Sequence, residues 1–236
     1  MIINRFVGKI ATVIILSTLC LSCQSNASRE APQTEGKQQQ NPQPKNITYG
    51  DLVIKAESDY LIIPVGLIDT NQSREGFWSK PSYYEKRNEY SNIIFYHKKE
   101  GNSHFLLNKK AVITSFDLIE RKAAGKPTKR FWLYRIIEND TNGDNQINYE
   151  DAVIGYLSDL SGKNIKQITP NNTQLMNFNV IQSVGELFLK IVKDSNQDQK
   201  FTEQDETSFM KVNLDNPSIG KEIISDKVKQ QIKSIK

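Results

Sequence analysis

The stretch "DTNGDNQINYED" (140–151) sets Asp140, Asn142, Asp144 and Asp151 at positions 1, 3, 5 and 12 of a twelve-residue ladder, with Ile147 at position 8. A second stretch, "DSNQDQKFTEQD" (194–205), puts Asp194, Asn196, Asp198 and Asp205 on the same rungs, with Phe201 where the first has Ile147. Alternating carboxylates and amides in one tight turn offer several hard oxygens to a single point, which is what a calcium ion takes. The first stretch holds Asp140, Asp144, Glu150 and Asp151 with no cation, and the second holds four acids against Lys200. Such crowding is repulsive without a counter-ion. Asp and Asn also crowd ordinary turns, so one copy alone would be ambiguous. Two copies starting 54 residues apart argue for a common purpose.

The ladder resembles the EF-hand calcium loop, D-x-[DN]-x-[DN]-G-x-I-x-x-x-E. The resemblance implies side-chain oxygens from Asp140, Asn142 and Asp144, the backbone carbonyl of Gln146 at position 7, and Asn148 at position 9, directly or through water. Asp151 would close the shell. In the second copy the corresponding residues are Asp194, Asn196, Asp198, Lys200 through its carbonyl, Thr202 and Asp205. Asn145 stands where the family has glycine, and asparagine tolerates the left-handed backbone better than most residues. Position 12 is Asp, not Glu, as in dockerin-type loops. Each loop also follows an apolar strand-like run, so structural braces are expected in place of a helix–loop–helix sensor.

Other chemistry finds less support. His97 and His104 are the only histidines. A turn at Glu100-Gly101 would set them opposite each other, but no third ligand is identifiable and zinc sites use three or four. There is no G-x-S-x-G nucleophile turn, and "GKPTK" (125–129) lacks the upstream glycine of a phosphate loop. The segment 73–91 interleaves Phe77, Trp78, Tyr83, Tyr84 and Tyr90 with charges. That mixture suits a protein or glycan partner, the alternative being aromatics that fold back onto the sheet.

The elements that must hold these residues are short β-rich runs: "YLIIPVGLI", "NIIFYH", "SHFLL", "AVITSFDLI", "RFWLYRII", "VIGYL", "MNFNVI" and "LFLKIV". Gly, Asn, Asp and Pro punctuate them. Helical spacing is confined to Val228, Ile232 and Ile235 at the end, after a cap at Ser225 or Asp226. The hairpin "NIIFYHKKEGNSHFLLN" (92–108) returns as "VIGYLSDLSGKNIKQIT" (153–169) and, with a longer turn, as "SFMKVNLDNPSIGKEII" (208–224). Their turn glycines are Gly101, Gly162 and Gly220, and "FWLYRII" and "LFLKIV" each run into an acidic loop. "YLIIPVGLID" would be an earlier, metal-free version. Units of this kind bury their apolar faces only by stacking on neighbours. "YLSDLSGKNIKQIT" resembles the strand-turn-strand of TolB-type β-propeller repeats. The expected fold is mainly β, with blade-like antiparallel repeats in a partial or small propeller-like array, or alternatively a β-sandwich. It would carry strand-linked calcium loops and a short C-terminal helix.

The N-terminus reads as a targeting segment. Arg5 and Lys9 precede an apolar run, Ile10–Leu21, that is too short to span a bilayer and fits a secretory signal. "LCLSCQSN" then resembles the lipobox of bacterial lipoproteins, with Cys23 as the acylated residue, although Cys20 stands where leucine is usual. An ordinary secretory signal cut nearby is the alternative. The expected organisation is signal 1–22, tether 23–46, and a β-rich domain 47–236. The tether has no large apolar residue and cannot fold on its own. Both cysteines fall in the targeting segment, so the mature domain holds no disulfide. Without Arg5 and Lys9, 29 basic residues face 27 acidic ones, which gives no electrostatic case for nucleic acid. The reading is a lipid-anchored, calcium-binding protein of the cell envelope, expected at the outer membrane of a Gram-negative bacterium. Its role would be binding or structural, and the alternative is an envelope hydrolase acting on glycans.

Overall fold

A computed structural model describes residues 45–69, 89–122, 125 and 127–235. Strands β1 (Lys45–Tyr49), β2 (Val53–Ile54), β3 (Tyr60–Asp69), β4 (Asn92–His97) and β5 (Ser103–Phe105) form the first sheet, in the order β1-β3-β4-β5, with β2 pairing β3. The second sheet holds β6 (Val112–Arg121), β7 (Lys129–Ile137), β8 (Ile154–Ser158) and β9 (Lys166–Gln167) in sequence order. The third repeats that meander with β10 (Thr173–Ile181), β11 (Glu186–Lys193), β12 (Glu206–Asn213) and β13 (Lys221–Glu222). Every pairing is antiparallel. The fold is mainly β, and the three sheets do not close into a barrel. β1 begins at Lys45, taking in the last two positions of the expected tether. Cys23 and the targeting segment lie outside the described residues.

The three hairpins read from the sequence are the last two strands of each sheet: β4–β5, β8–β9 and β12–β13. β6 and β10 each carry a register shift near their start, between Ile113 and Ser115 and between Leu175 and Asn177. A bulge at like positions of two sheets is a feature of the repeat itself. Gly101 and Gly162 take the left-handed backbone their turns require (φ 73° and 76°). Gly220 does not. It ends the longer third turn, and its N–H donates across to the Ile168 carbonyl at 3.0 Å.

The second sheet lies at the centre of the core. Trp132, Tyr134 and Ile136 of β7 pack with Ile62, Ile93 and Phe95 of the first sheet. Leu133, between them in sequence, packs with Leu157 against Leu187, Leu189, Ile191 and Met210 of the third. Alternate residues of a strand point to opposite faces, so a strand buried on both faces reads as the continuous run "RFWLYRII". β12 is covered on one face only, and "ETSFMKVN" alternates exposed and buried accordingly. The helix α1 (Asp226–Ser234) starts from the Ser225 cap, as its sequence predicts. None of its residues is buried, so its apolar spacing meets no core. Among the described residues no helix is long and apolar enough to cross a membrane.

Side chains tie the second sheet to the third where the strands diverge. The Gln182 amide donates to the Glu120 carbonyl at 2.8 Å, and its oxygen accepts from the Lys122 N–H at 2.6 Å. Arg121, only 2% exposed, pairs with Asp215 after β12, which Lys129 also meets at 3.1 Å. Its Nε and Nη1 have no hydrogen-bond partner among the described residues, so Asp215 is its chief compensation. Asp215→Ala is expected to lower stability by about 3 kcal/mol, because it strands a buried charge. Arg121→Met, which removes that charge and keeps an apolar stem, should cost less. Urea unfolding of both variants checks the order, and equal losses would assign the cost to packing alone.

Candidate functional site

Each acidic stretch connects the second strand of its sheet to the third: 140–151 joins β7 to β8, and 194–205 joins β11 to β12. The segment 70–88 occupies the corresponding place between β3 and β4. Phe77, Trp78, Tyr83 and Tyr84 lie in it, outside the described residues. Tyr90 is described and is partly buried, its ring 6.0 Å from Phe116 at the edge of the core. Burial, with the nearby Asp51 charge, raises its phenol pKa.

The two loops fold on one hydrogen-bond plan. At position 1, Asp140 Oδ2 accepts from the Asn145 N–H at 2.7 Å, and Asp194 Oδ2 from that of Gln199 at 3.1 Å. At position 3, Asn142 and Asn196 accept from the N–H of Asp144 and Asp198, at 3.0 and 3.1 Å. At position 5, Asp144 and Asp198 accept from the N–H of Gln146 and Lys200, at 2.7 and 2.9 Å. The position-9 side chains of Asn148 and Thr202 accept from the N–H of Glu150 and Gln204. The carboxylates at position 12 turn inward. Asp151 accepts from the N–H of Thr141 and Asn148, and Asp205 from those of Ser195 and Thr202. These bonds, that from Thr202 foremost, hold the Asp205 carboxyl below the usual carboxylate range, although burial opposes them.

Backbone conformation repeats as well. Positions 4 and 6 are left-handed in both loops: Gly143 and Asn145 at φ 79° and 65°, Gln197 and Gln199 at 61° and 65°. The expected role of Asn145 at the turn holds, and glutamine fills the same place in the second loop. Position 2 was not singled out in the sequence. There the Thr141 and Ser195 hydroxyls reach the position-12 carboxylate and accept from the N–H just past the loop, Ala152 and Glu206. The signal was present in "DTN" and "DSN", but a hydroxyl is not a residue that the metal pattern asks for.

The anchors at position 8 differ. Phe201 packs against the core between the first and second sheets. Ile147 is half-buried and belongs to neither core cluster, so it pins its loop less firmly than expected. The loops also meet. Gln199 Oε1 lies 3.9 Å from where a Cβ on Gly143 would stand. Asp140 and Asp194 line one open cleft of about 350 Å³ with Asn171 and Asn172, and Glu150 and Lys200 line a second of about 390 Å³. Phe201 borders both. Stacking of like units brings like loops together, and linear spacing did not reveal that the two sites are neighbours.

Among the described residues, no three His, Cys, Asp or Glu side chains are grouped so that they could hold a metal ion. The donor set nevertheless fits a hard cation, since every ladder position offers carboxylate, amide, hydroxyl or carbonyl oxygen. Each carboxylate oxygen also has more than one acceptor site, so an N–H bond does not exhaust it. The poorer fit is at position 12, where the short Asp arm is committed to the loop's own backbone. The carboxylates lining the two clefts all belong to the loops.

The histidines do not face each other. His104 pairs with Phe95 in register and stacks on its ring, while His97 pairs with Tyr60. Both imidazoles meet Tyr60 edge-on, and His104 Nε2 contacts the Ser161 carbonyl at 2.8 Å. They are packing residues of the first sheet. Comparison with protein families, with curated proteins and with solved structures finds no match.

Proposed function

We propose that this chain is a calcium-braced, blade-like β-array, anchored to the cell envelope through Cys23 and serving a binding or structural role. The observation that carries the reading is the shared hydrogen-bond frame of the two loops, at the same connection of adjacent sheets. Calcium bound in each loop would neutralise its own carboxylates, with Asp140 and Asp194 bordering one cleft, and stiffen the β7–β8 and β11–β12 connections. Ligands would come from Asp140, Asn142, Asp144, Gln146, Asn148 and Asp151, and from their counterparts in the second loop. The aromatic segment around Trp78 and Tyr84 is the stretch we assign to a protein or glycan partner. The lipid anchor and outer-membrane location rest on the "LSC" segment alone. The carboxylates lining the two clefts among the described residues all belong to the loops, which gives a hydrolase no separate support.

Extracellular sites of this type bind at about 10⁻⁴ to 10⁻³ M. Occupying two such sites at tenfold excess adds about 3 kcal/mol by mass action, worth roughly 6–12 °C for a domain of this size. The melting temperature should therefore rise by several degrees in 5–10 mM Ca²⁺ over chelator, and less in Mg²⁺. An unchanged melting temperature with no heat of binding would overturn the calcium reading.

A further inference from the structure

The two end sheets of the stack have unlike outer faces. On the third sheet, Phe188 and Phe209 alternate with Lys190 and Lys211 across β11 and β12, in register with each other. That face is mixed and solvated, as a terminal unit requires. On the first sheet, cross-strand pairs Ile47–Leu67, Ile54–Leu61, Ile63–Ile94 and Ile94–Phe105 share the face turned away from the core. Ile47, Tyr49, Ile54, Leu67 and Phe105 are 61, 65, 62, 49 and 61% exposed. None of these pairs includes a charged residue.

At ~200 Å² for a fully exposed large apolar side chain, these five leave about 600 Å² of apolar surface on one face. That is at the upper limit of the largest patch on a typical monomer, about 300–600 Å². Doubled across a twofold axis it gives about 1,200 Å², where stable interfaces begin.

From this we infer that the outer face of the first sheet is the interface between two copies of this chain, packed sheet on sheet. The four pairs carry no charge to recognise a charged partner, whereas two such faces are complementary to each other by symmetry. Head-to-tail stacking onto the third sheet would bury Lys190 and Lys211 against apolar side chains, which is costly without partners. The stretch Gln24–Pro44 has no large apolar residue with which to cover the face. The chain already buries sheet faces against each other twice, and the dimer adds a third junction of the same kind.

The test is the mass of the full chain as its host processes it, by sedimentation and light scattering, from about 1 to 100 µM. Wild type should move from one to two copies over this range, and its melting temperature should rise with concentration. Ile54→Lys/Phe105→Lys should weaken dimerisation at least 100-fold while keeping the far-ultraviolet spectrum of the fold. A wild-type chain that stays monomeric to 100 µM overturns the inference, including the case where its own 70–88 segment covers the face. So does a folded double variant that dimerises as well as wild type. If the double variant does not fold, the concentration series on wild type decides alone.

Discussion

Asp151→Ala is expected to destabilise the domain by about 4 kcal/mol, measured by urea unfolding in chelator so that no metal contributes. Asp151 is 0% exposed, and its carboxylate accepts from three backbone N–H groups: Thr141 at 2.6 Å, Asn148 at 2.9 Å and Asn142 at 3.3 Å. The Thr141 hydroxyl adds a fourth contact at 3.2 Å. Removing the side chain leaves those donors without an acceptor, at ~1–3 kcal/mol for each one that stays buried. Water entering the shortened site recovers part of that. Asp205→Ala makes the same cut in a loop that is more open, with Asp205 8% exposed, and should cost about half as much. If Asp151→Ala unfolds within about 1 kcal/mol of wild type, the inward carboxylate does not hold the loop closed. The calcium shift is a separate measurement, so a structural role for Asp151 and a metal role can fail independently.

Gly162→Ala should cost about 3 kcal/mol, for two separable reasons. The residue sits at φ 76°, where a side chain adds ~1 kcal/mol of backbone strain. A Cβ there would also stand closer than 3.0 Å to three carbons of the Phe95 ring, and overpacking a core typically costs ~1–3 kcal/mol. The β8–β9 turn of the second sheet rests directly on the first sheet at this point, beside the Ser161–His104 contact. Gly101→Ala is the control. It has nearly the same φ, 73°, but its Cβ would meet only the Tyr96 hydroxyl at 3.4 Å, so the loss should be about 1 kcal/mol. Adding Phe95→Leu to Gly162→Ala should return part of the overpacking cost and none of the backbone strain. Equal losses at Gly101 and Gly162 in calorimetry would show that the turn does not press on Phe95.

The contrast between these two glycines also shows how far local pattern reaches. Both were legible as hairpin turns, because a left-handed residue is a local demand and glycine meets it locally. Nothing in "DLSGKN" says that the turn lies on a phenylalanine from a different sheet, far earlier in the chain. Strands were legible for the same local reason, through alternation in "SFMKVN" and unbroken apolarity in "RFWLYRII". β2 was not, since two residues carry no period and no repeated hairpin contains it. The helix after Ser225 formed where its cap and spacing place it, yet its apolar residues remain in solvent. Periodicity reports what a face could bury, and only the neighbours decide whether it does.

The β class, the repeated hairpin, the two loop ladders and the strands that feed them follow directly from the residues along the chain. All of these depend on chemistry within about a dozen residues, where backbone preference and side-chain period act directly. The tertiary structure alone decided that the second sheet is buried on both faces, that Arg121 is enclosed beside Asp215, and that Asp140 and Asp194 border one cleft. It also decided that the first sheet turns a row of apolar cross-strand pairs outward while the third sheet's outer face is interspersed with lysine. These are relations between units that touch only after stacking. Their energies come from burial and from charges brought together across sheets, and separation along the chain carries no measure of either.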